Sequence, residues 1–218
     1  MFLIVSGGDA PSPDFLKSRA EGALKIIAAD RGAEYCLRAG VRPDFVVGDM
    51  DSLSPADLGR LQASGVPLER HSREKDETDT ELALNLAISQ GAAEVEMLAC
   101  TGDRFDHTLA NIHLLLAARR RGVEAWILSE SFKIFLVDSQ ARLTGMEGAT
   151  LSLLPLSFEV KGISLSGFRW DLSGASMEVG SPVGISNRVV SLEAVIRVEE
   201  GVLVAELFFP SKPRAGNG

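Results

Sequence analysis

The chain has 218 residues, with 30 Asp+Glu against 22 Lys+Arg and a formal net charge of -8. That acidity excludes a general nucleic-acid binder, whose phosphate contacts need a basic surface. An apolar fraction of 45% and a charged fraction of 24% exclude disordered and collagen-like chains and are enough for one large domain or two small ones.

The opening apolar run Phe2-Leu3-Ile4-Val5 ends at Ser6-Gly7-Gly8, too short for a signal-peptide core. No apolar run approaches the roughly 20 residues of a membrane helix, so a cytoplasmic protein with no membrane partner is expected. Short apolar runs at 2–5, 25–29, 45–47, 66–69, 95–99, 125–128 and 133–137 predict strands. Stretches 33–39, 55–63, 80–89 and 108–121, with Leu and Ala at helical spacing, predict helices packed on a sheet. This alternation predicts an α/β domain over 1–138 with a mainly parallel sheet. From 139 to 218 the helical signal is gone, and β-rich runs broken by Gly, Ser and Pro predict an all-β sandwich domain. Within it, 191–198 and 202–209, separated by Glu199-Glu200-Gly201, read as a β-hairpin. Cys36 and Cys100 stand far apart without metal-ligand spacing and are expected to be buried free thiols.

In an open parallel sheet, ligands collect at the carboxyl ends of the strands. Those ends are acidic here: Asp30 in Ala28-Ala29-Asp30-Arg31-Gly32, Asp49 and Asp51 in Gly48-Asp49-Met50-Asp51-Ser52, and Asp106 in Gly102-Asp103-Arg104-Phe105-Asp106-His107. A fourth segment, Lys75-Asp76-Glu77-Thr78-Asp79, precedes the helix at 80–89. The residues from Asp30 to His107 include 16 acidic and 8 basic side chains, so the chain's net charge is concentrated there. Carboxylates crowded on one rim raise one another's pKa unless cations intervene. Such an oxygen-rich set suits Mg²⁺, which binds through a few carboxylates together with substrate phosphates. The pattern points to phosphoryl-type transfer from a nucleotide. Asp and Gly are also ordinary turn formers, and Thr78-Asp79-Thr80-Glu81 is a capping box; neither accounts for Asp76.

Aligned in this order, AADRGA (28–33), PDFVVGDMDS (43–52), KDETDTELAL (75–84), TGDRFDHTLANI (101–112), GFRWDL (167–172) and GISN (184–187) closely resemble the thiamine pyrophosphokinase family. The resemblance implies an N-terminal α/β ATP-binding catalytic domain and a C-terminal β-sandwich that binds thiamine and dimerises. It also implies a homodimer whose active sites lie between subunits. It implies transfer of the diphosphoryl group of ATP to the hydroxyl of thiamine, giving thiamine diphosphate and AMP. Asp49, Asp51 and Asp79 match acidic positions associated with Mg²⁺ and the phosphates. Asp30, Lys75, Asp76, Arg104 and Asp106 match the nucleotide and phosphate surroundings, with Thr78 and His107 placed beside them as cofactor-binding. Trp170, Ser186 and Asn187 match the thiamine-facing segment. Two departures are Asp103, where a glycine is common, and Arg188, where a glutamate is common.

The residues fit that chemistry. Mg²⁺ on Asp49, Asp51 and Asp79, with Lys75 and Arg104, would neutralise a polyphosphate, and Asp76 or Asp106 is the candidate proton acceptor. Trp170 offers an aromatic platform for a cationic ring. Two rivals are a phosphatase of the haloacid-dehalogenase type, with Asp49 as nucleophile and Asp51 as acid, and a non-catalytic thiamine or nucleotide sensor. Leu53, where that phosphatase strand carries Thr or Val, argues against the first, and the number of metal-suited carboxylates argues against the second.

Overall fold

The strand of Phe2–Val5, β1, is buried along its whole length, as expected of a parallel strand covered on both faces. The computed structural model describes residues 1–72 and 76–210, and the chain divides into two compact units, Met1–Glu130 and Ser131–Gly218.

In the first unit β1 is followed by α1 (Pro13–Glu21), β2 (Lys25–Ala29), α2 (Gly32–Arg38), β3 (Phe45–Gly48), α3 (Pro55–Ala63), β4 (Leu68–Arg70), α4 (Asp79–Ser89), β5 (Glu94–Leu98), α5 (Phe105–Arg120) and β6 (Glu124–Leu128). The strands lie in the order β6-β5-β1-β2-β3-β4 and every pair is parallel, with Val5 beside both Ala28 and Leu98. Leu3, Val5, Ala28, Val46 and Leu98 from the strands pack with Leu16 and Leu61 from α1 and α3 in one core cluster. The predicted helices are present. One more, α1, has too little apolar periodicity to stand out, yet it carries its start signal: the Ser12 hydroxyl accepts a hydrogen bond from the Phe15 N–H, with Pro13 in the first turn. Glu96 is a buried acid on β5. Its carboxylate takes two hydrogen bonds from Arg19 at 2.6 and 2.8 Å and a third from the Trp126 indole at 2.9 Å, which offsets its desolvation.

The second unit holds β7 (Phe132–Val137), β8 (Gln140–Thr144), β9 (Thr150–Pro155), β10 (Glu159–Ser166), β11 (Leu172–Glu178), β12 (Asn187–Arg188), β13 (Glu193–Arg197) and β14 (Leu203–Phe208). Two antiparallel layers, β12-β9-β14-β7 and β11-β10-β13-β8, enclose a core of Leu151, Leu153, Val160, Ile163, Ile196, Leu203, Ala205 and Leu207. This is the expected sandwich. The strand at 132–137, grouped by its place in the alternation with the α/β region, pairs antiparallel with β14 from Phe132↔Phe208 to Val137↔Leu203 and belongs to the second unit.

The predicted hairpin is corrected. Both strands form, but β13 pairs with β8 and β10 while β14 pairs with β7 and β9. The connection at 199–201 passes from one sheet to the other. Lys161 holds it, donating to the Glu200 carbonyl and accepting from the Glu199 N–H, and Gly201 turns it at φ +90. A Cβ at Gly201 would lie 2.7 Å from the Glu159 carbonyl oxygen, so glycine is required by the sandwich and not by a hairpin.

Candidate active site

The strand order of the first unit reverses between β1 and β5, the position at which a doubly wound sheet opens a crevice. Ser6, Gly8 and Asp9 after β1 donate to the carbonyls of Leu98, the last residue of β5, and of Ala99 and Thr101 beyond it, at 2.9, 2.8 and 2.7 Å. A Cβ on Gly8 would lie 2.2 Å from the Thr101 oxygen and 2.6 Å from that of Ala99, so the closeness of the two loops depends on the missing side chain. Beside them opens a cleft of about 560 Å³, lined by residues 6–9, 29–31, 49, 77–80 and 99–104, with His107, Thr108 and Asn111 of α5. Three non-glycine residues at the strand ends around it, Asp30, Met50 and Ala99, have φ of 47, 65 and 54. Strain of that kind persists where packing over-determines the backbone.

Gly48, at φ +140, ends β3 under the carboxylates. The position a Cβ would take is 3.1 Å from Asp79 Oδ1 and 3.3 Å from Asp30 Cβ, so the absence of a side chain lets α4 bring Asp79 over the end of the sheet. Oxygens of Asp30, Asp49 and Asp51 all lie within 4.8 Å of one another. The Asp51 N–H donates to Asp49 Oδ1 at 3.0 Å, which folds the Asp-x-Asp segment back on itself. Burial raises the Asp30 carboxyl above its ordinary pKa, and the charges of Asp79 and Asp49 push it the same way. Asp30 Oδ1 is buried without a hydrogen-bond partner among the described residues. An unpartnered buried oxygen within a set of hard anionic donors fits a divalent cation such as Mg²⁺.

Asp79 opens α4, where the Thr78 hydroxyl accepts from the Glu81 N–H at 3.1 Å. The next residue, Thr80, is buried and hydrogen-bonds Ser6 hydroxyl to hydroxyl at 2.9 Å. Across the cleft Arg104 donates twice to Asp106, at 2.9 and 2.6 Å, and the hydrogen bonds from Arg104 lower Asp106 to a pKa of about 2. Arg104, His107 and Thr78 line the cleft; Asp76, exposed, does not. Lys75 lies outside the described residues. Cys36 and Cys100 are free and buried as expected, their thiols pushed up to about 12 by burial.

In the second unit, Trp170 is 56% exposed, with the Arg169 guanidinium 5.1 Å from its ring centroid. Ser186, at φ +65, donates its N–H to Ser152 Oγ at 3.2 Å. Asn187 is buried and its amide bonds the backbone of Trp170, so the three expected thiamine-facing residues form one local group.

Residues 16–127 match the family model described as "Thiamin pyrophosphokinase, catalytic domain", and residues 136–203 match "Thiamin pyrophosphokinase, vitamin B1 binding domain". The chain belongs to the thiamin pyrophosphokinase family. It is 27% identical over 212 residues to thiamine pyrophosphokinase of Bacillus subtilis, covering 92% of this chain and 95% of that one. It is also 27% identical over 180 residues to thiamine pyrophosphokinase 1 of Oryza sativa subsp. japonica, covering 78% and 67%. The crystal structure of the B. subtilis protein superposes with a TM-score of 0.85 at 25% identity, and that of thiamin pyrophosphokinase from Geobacillus thermodenitrificans with 0.84 at 28%. Each comparison covers 97% of this chain and 99% of the other.

Acidic strand ends account for only part of the cleft in this member of the thiamin pyrophosphokinase family. Ser6-Gly7-Gly8-Asp9, Thr80, Thr108 and Asn111 all line it, and Thr108 Oγ1 is buried without a partner among the described residues. A signal for them was present in the sequence: Gly-Gly directly after the first strand of a parallel sheet marks a loop through which backbone approaches a ligand. Thr108 and Asn111 follow Arg104 at helical spacing, and Asn111 donates to the Cys100 carbonyl at 2.8 Å, tying α5 to the end of β5.

Proposed function

We propose that the chain is a thiamine diphosphokinase whose chemistry is carried by the first unit's cleft. ATP and thiamine react to give AMP and thiamine diphosphate: the thiamine hydroxyl oxygen bonds to the β-phosphorus, and the bond from that phosphorus to the α-β bridging oxygen breaks. The observation that carries this reading is the convergence of Asp30, Asp49 and Asp51, from two adjacent strand ends, within 4.8 Å beside a cleft of polyphosphate size, in a chain of this family.

These three carboxylates, with Asp79 above Gly48, would hold Mg²⁺. When bound, the ion supplies charge neutralisation and orientation for the polyphosphate. The residues of the chain do the rest. Arg104 faces the cleft and contributes positive charge; Asp106 keeps its guanidinium in one orientation. The proton acceptor is proposed to be Asp76 or Asp106: hydrogen bonds from Arg104 hold Asp106 low, at about 2, which weakens it as a base, and Asp76 stands exposed outside the cleft lining. The 16-residue helix α5 starts at the cleft with Arg104 as its N-cap, and within its first turn the Asp106 carboxylate takes the His107 N–H. Lys75 belongs to the same proposal on the strength of its motif, as do His107 and Thr78 on the cleft wall. Trp170 and Ser186 are assigned to thiamine.

A homodimer and a cytoplasmic location complete the reading, the latter supported by two unpaired thiols. No described helix is long and apolar enough to cross a membrane. The domain assignment, ATP-binding catalysis in the α/β part and thiamine binding and dimerisation in the sandwich, is proposed with it. Neither the phosphatase nor the sensor reading is favoured by the family matches. Incubation with ATP, thiamine and Mg²⁺ tests the proposal: equal amounts of AMP and thiamine diphosphate are expected, whereas ADP and free phosphate without thiamine diphosphate would overturn it.

A further inference from the structure

Segments 167–170 and 187–191 run antiparallel at the edge of the sandwich. Arg169 donates its N–H to the Arg188 carbonyl at 2.8 Å, Val190 donates to Gly167 at 3.0 Å, and Phe168 and Val189 form a bridge. Beyond that pairing the backbone ladder stops, and a side chain continues it. Asn187 Nδ2 donates to the Trp170 carbonyl at 2.7 Å, while Asn187 Oδ1 accepts the N–H groups of Trp170 at 3.1 Å and Arg188 at 2.8 Å. One amide thus reproduces both the donor and the acceptor of an opposing strand residue.

The result is a fixed turn with one aromatic in and one out. Phe168 is 4% exposed and anchors the core; Trp170, two residues on, stands outward. The Phe168 N–H is taken by Asp171 Oδ1 at 3.1 Å. Asn187 is itself held: its backbone pairs with Leu151, the preceding Ser186 N–H bonds Ser152 Oγ, and Gly184 packs so closely that a Cβ would lie 2.2 Å from the Leu153 oxygen. An exposed tryptophan normally costs ordering entropy when it receives a ligand; here the backbone on both sides of its side chain is tied down beforehand.

We infer that Asn187 is a positioning residue, fixing Trp170 as a rigid platform for a flat cationic ring, and not a substrate contact. This rests on the proposed thiamine site. The Arg169 guanidinium already over the indole shows that the ring face accepts a cation. The mechanism is mechanical: with the amide oxygen accepting two backbone N–H groups and one amide N–H given to the Trp170 carbonyl, its effect on substrate passes through the indole.

The test uses the full-length protein labelled with 5-fluorotryptophan, in which Trp126 and Trp170 give separate fluorine NMR lines, Trp170 being assigned by its loss in Trp170→Phe. Asn187→Asp keeps the acceptor oxygen and removes the donor to the Trp170 carbonyl; Asn187→Leu removes both. Each is expected to shift or broaden the Trp170 line and leave that of Trp126 unmoved. The KM for thiamine should rise about tenfold, the scale of losing one or two buried hydrogen bonds, while the KM for ATP stays within about twofold. Asn187→Leu in the Trp170→Phe background should add little, because the platform is already lost. An unmoved Trp170 line, or a raised thiamine KM with that line unmoved, overturns the inference; the second outcome makes Asn187 a direct contact. Failure of the unmodified protein to form thiamine diphosphate would instead sink the functional reading, and the clamp would stand or fall on the fluorine line alone.

Discussion

Ser6 and Thr80 share a buried hydroxyl–hydroxyl hydrogen bond of 2.9 Å, joining the end of β1 to the second residue of α4. Thr78 is used as the N-cap of the same helix, so Asp79 sits between two threonines whose hydroxyls are both engaged. The cleft floor and the acid above Gly48 are therefore set by one polar contact. Thr80→Val, which keeps the shape and removes the hydroxyl, is expected to cost about 1 kcal/mol of stability. It should lower turnover about tenfold as Asp79 loses its register, a small displacement with a large kinetic effect. Thr80→Ser should retain most activity. Equal activity of the valine and serine variants in a steady-state assay would contradict this account.

Gly8→Ala tests the junction of the two loops. A Cβ 2.2 Å from the Thr101 oxygen cannot be accommodated without backbone movement, so a loss of about 1–3 kcal/mol is expected. The KM for ATP should rise alongside, since the same loops wall the cleft. Thermal denaturation and an ATP titration check both halves; an unchanged Tm with unchanged KM would show that the loops part freely.

The raised pKa of Asp30 has a direction in pH. A carboxyl whose pKa is higher in the folded state than the unfolded value contributes stability that is fully present below the ordinary value of 3.8 and is lost as pH rises through its folded pKa. At neutral pH without a cation the ionised Asp30 therefore destabilises the fold. Asp30→Asn is expected to raise the Tm of the metal-free protein at pH 7 and to erase most of the gain in Tm produced by Mg²⁺, together with activity. A variant less stable than the parent at pH 7 without metal, yet still stabilised by Mg²⁺, would contradict the role given to burial and to Asp79 and Asp49.

Asp51 is exposed and lies in the same oxygen cluster, so Asp51→Asn should leave the fold intact and abolish diphosphoryl transfer. Circular dichroism and Mn²⁺ binding by electron spin resonance separate the two effects. Near-normal AMP release by this variant would remove it from the metal site.

Much of the fold was readable from the chain. β1, β2 and β3 of the first unit are mainly apolar runs and most of its helices carry apolar faces, because each packs against neighbours on the sheet. Acidic strand ends were legible for the same reason: topology, once parallel, brings them to one rim. What stayed hidden was pairing. Residues 191–198 and 202–209 have the local pattern of a hairpin, and only the requirement to close a two-layer core sends them to different sheets. Asp30 was expected on the same acidic rim as Asp49 and Asp51, and the three do lie together. The role of the Asn187 amide, by contrast, was hidden, because it depends on a ladder ending at Trp170. Side-chain chemistry in a sequence names donors and acceptors without naming their partners.

A single-turnover reaction with ATP labelled in both its β- and γ-phosphates bears most directly on the central claim. With thiamine and Mg²⁺ present, both labels should appear together in thiamine diphosphate and the released AMP should carry none. Label recovered in ADP or as free phosphate, with thiamine unmodified, would contradict it.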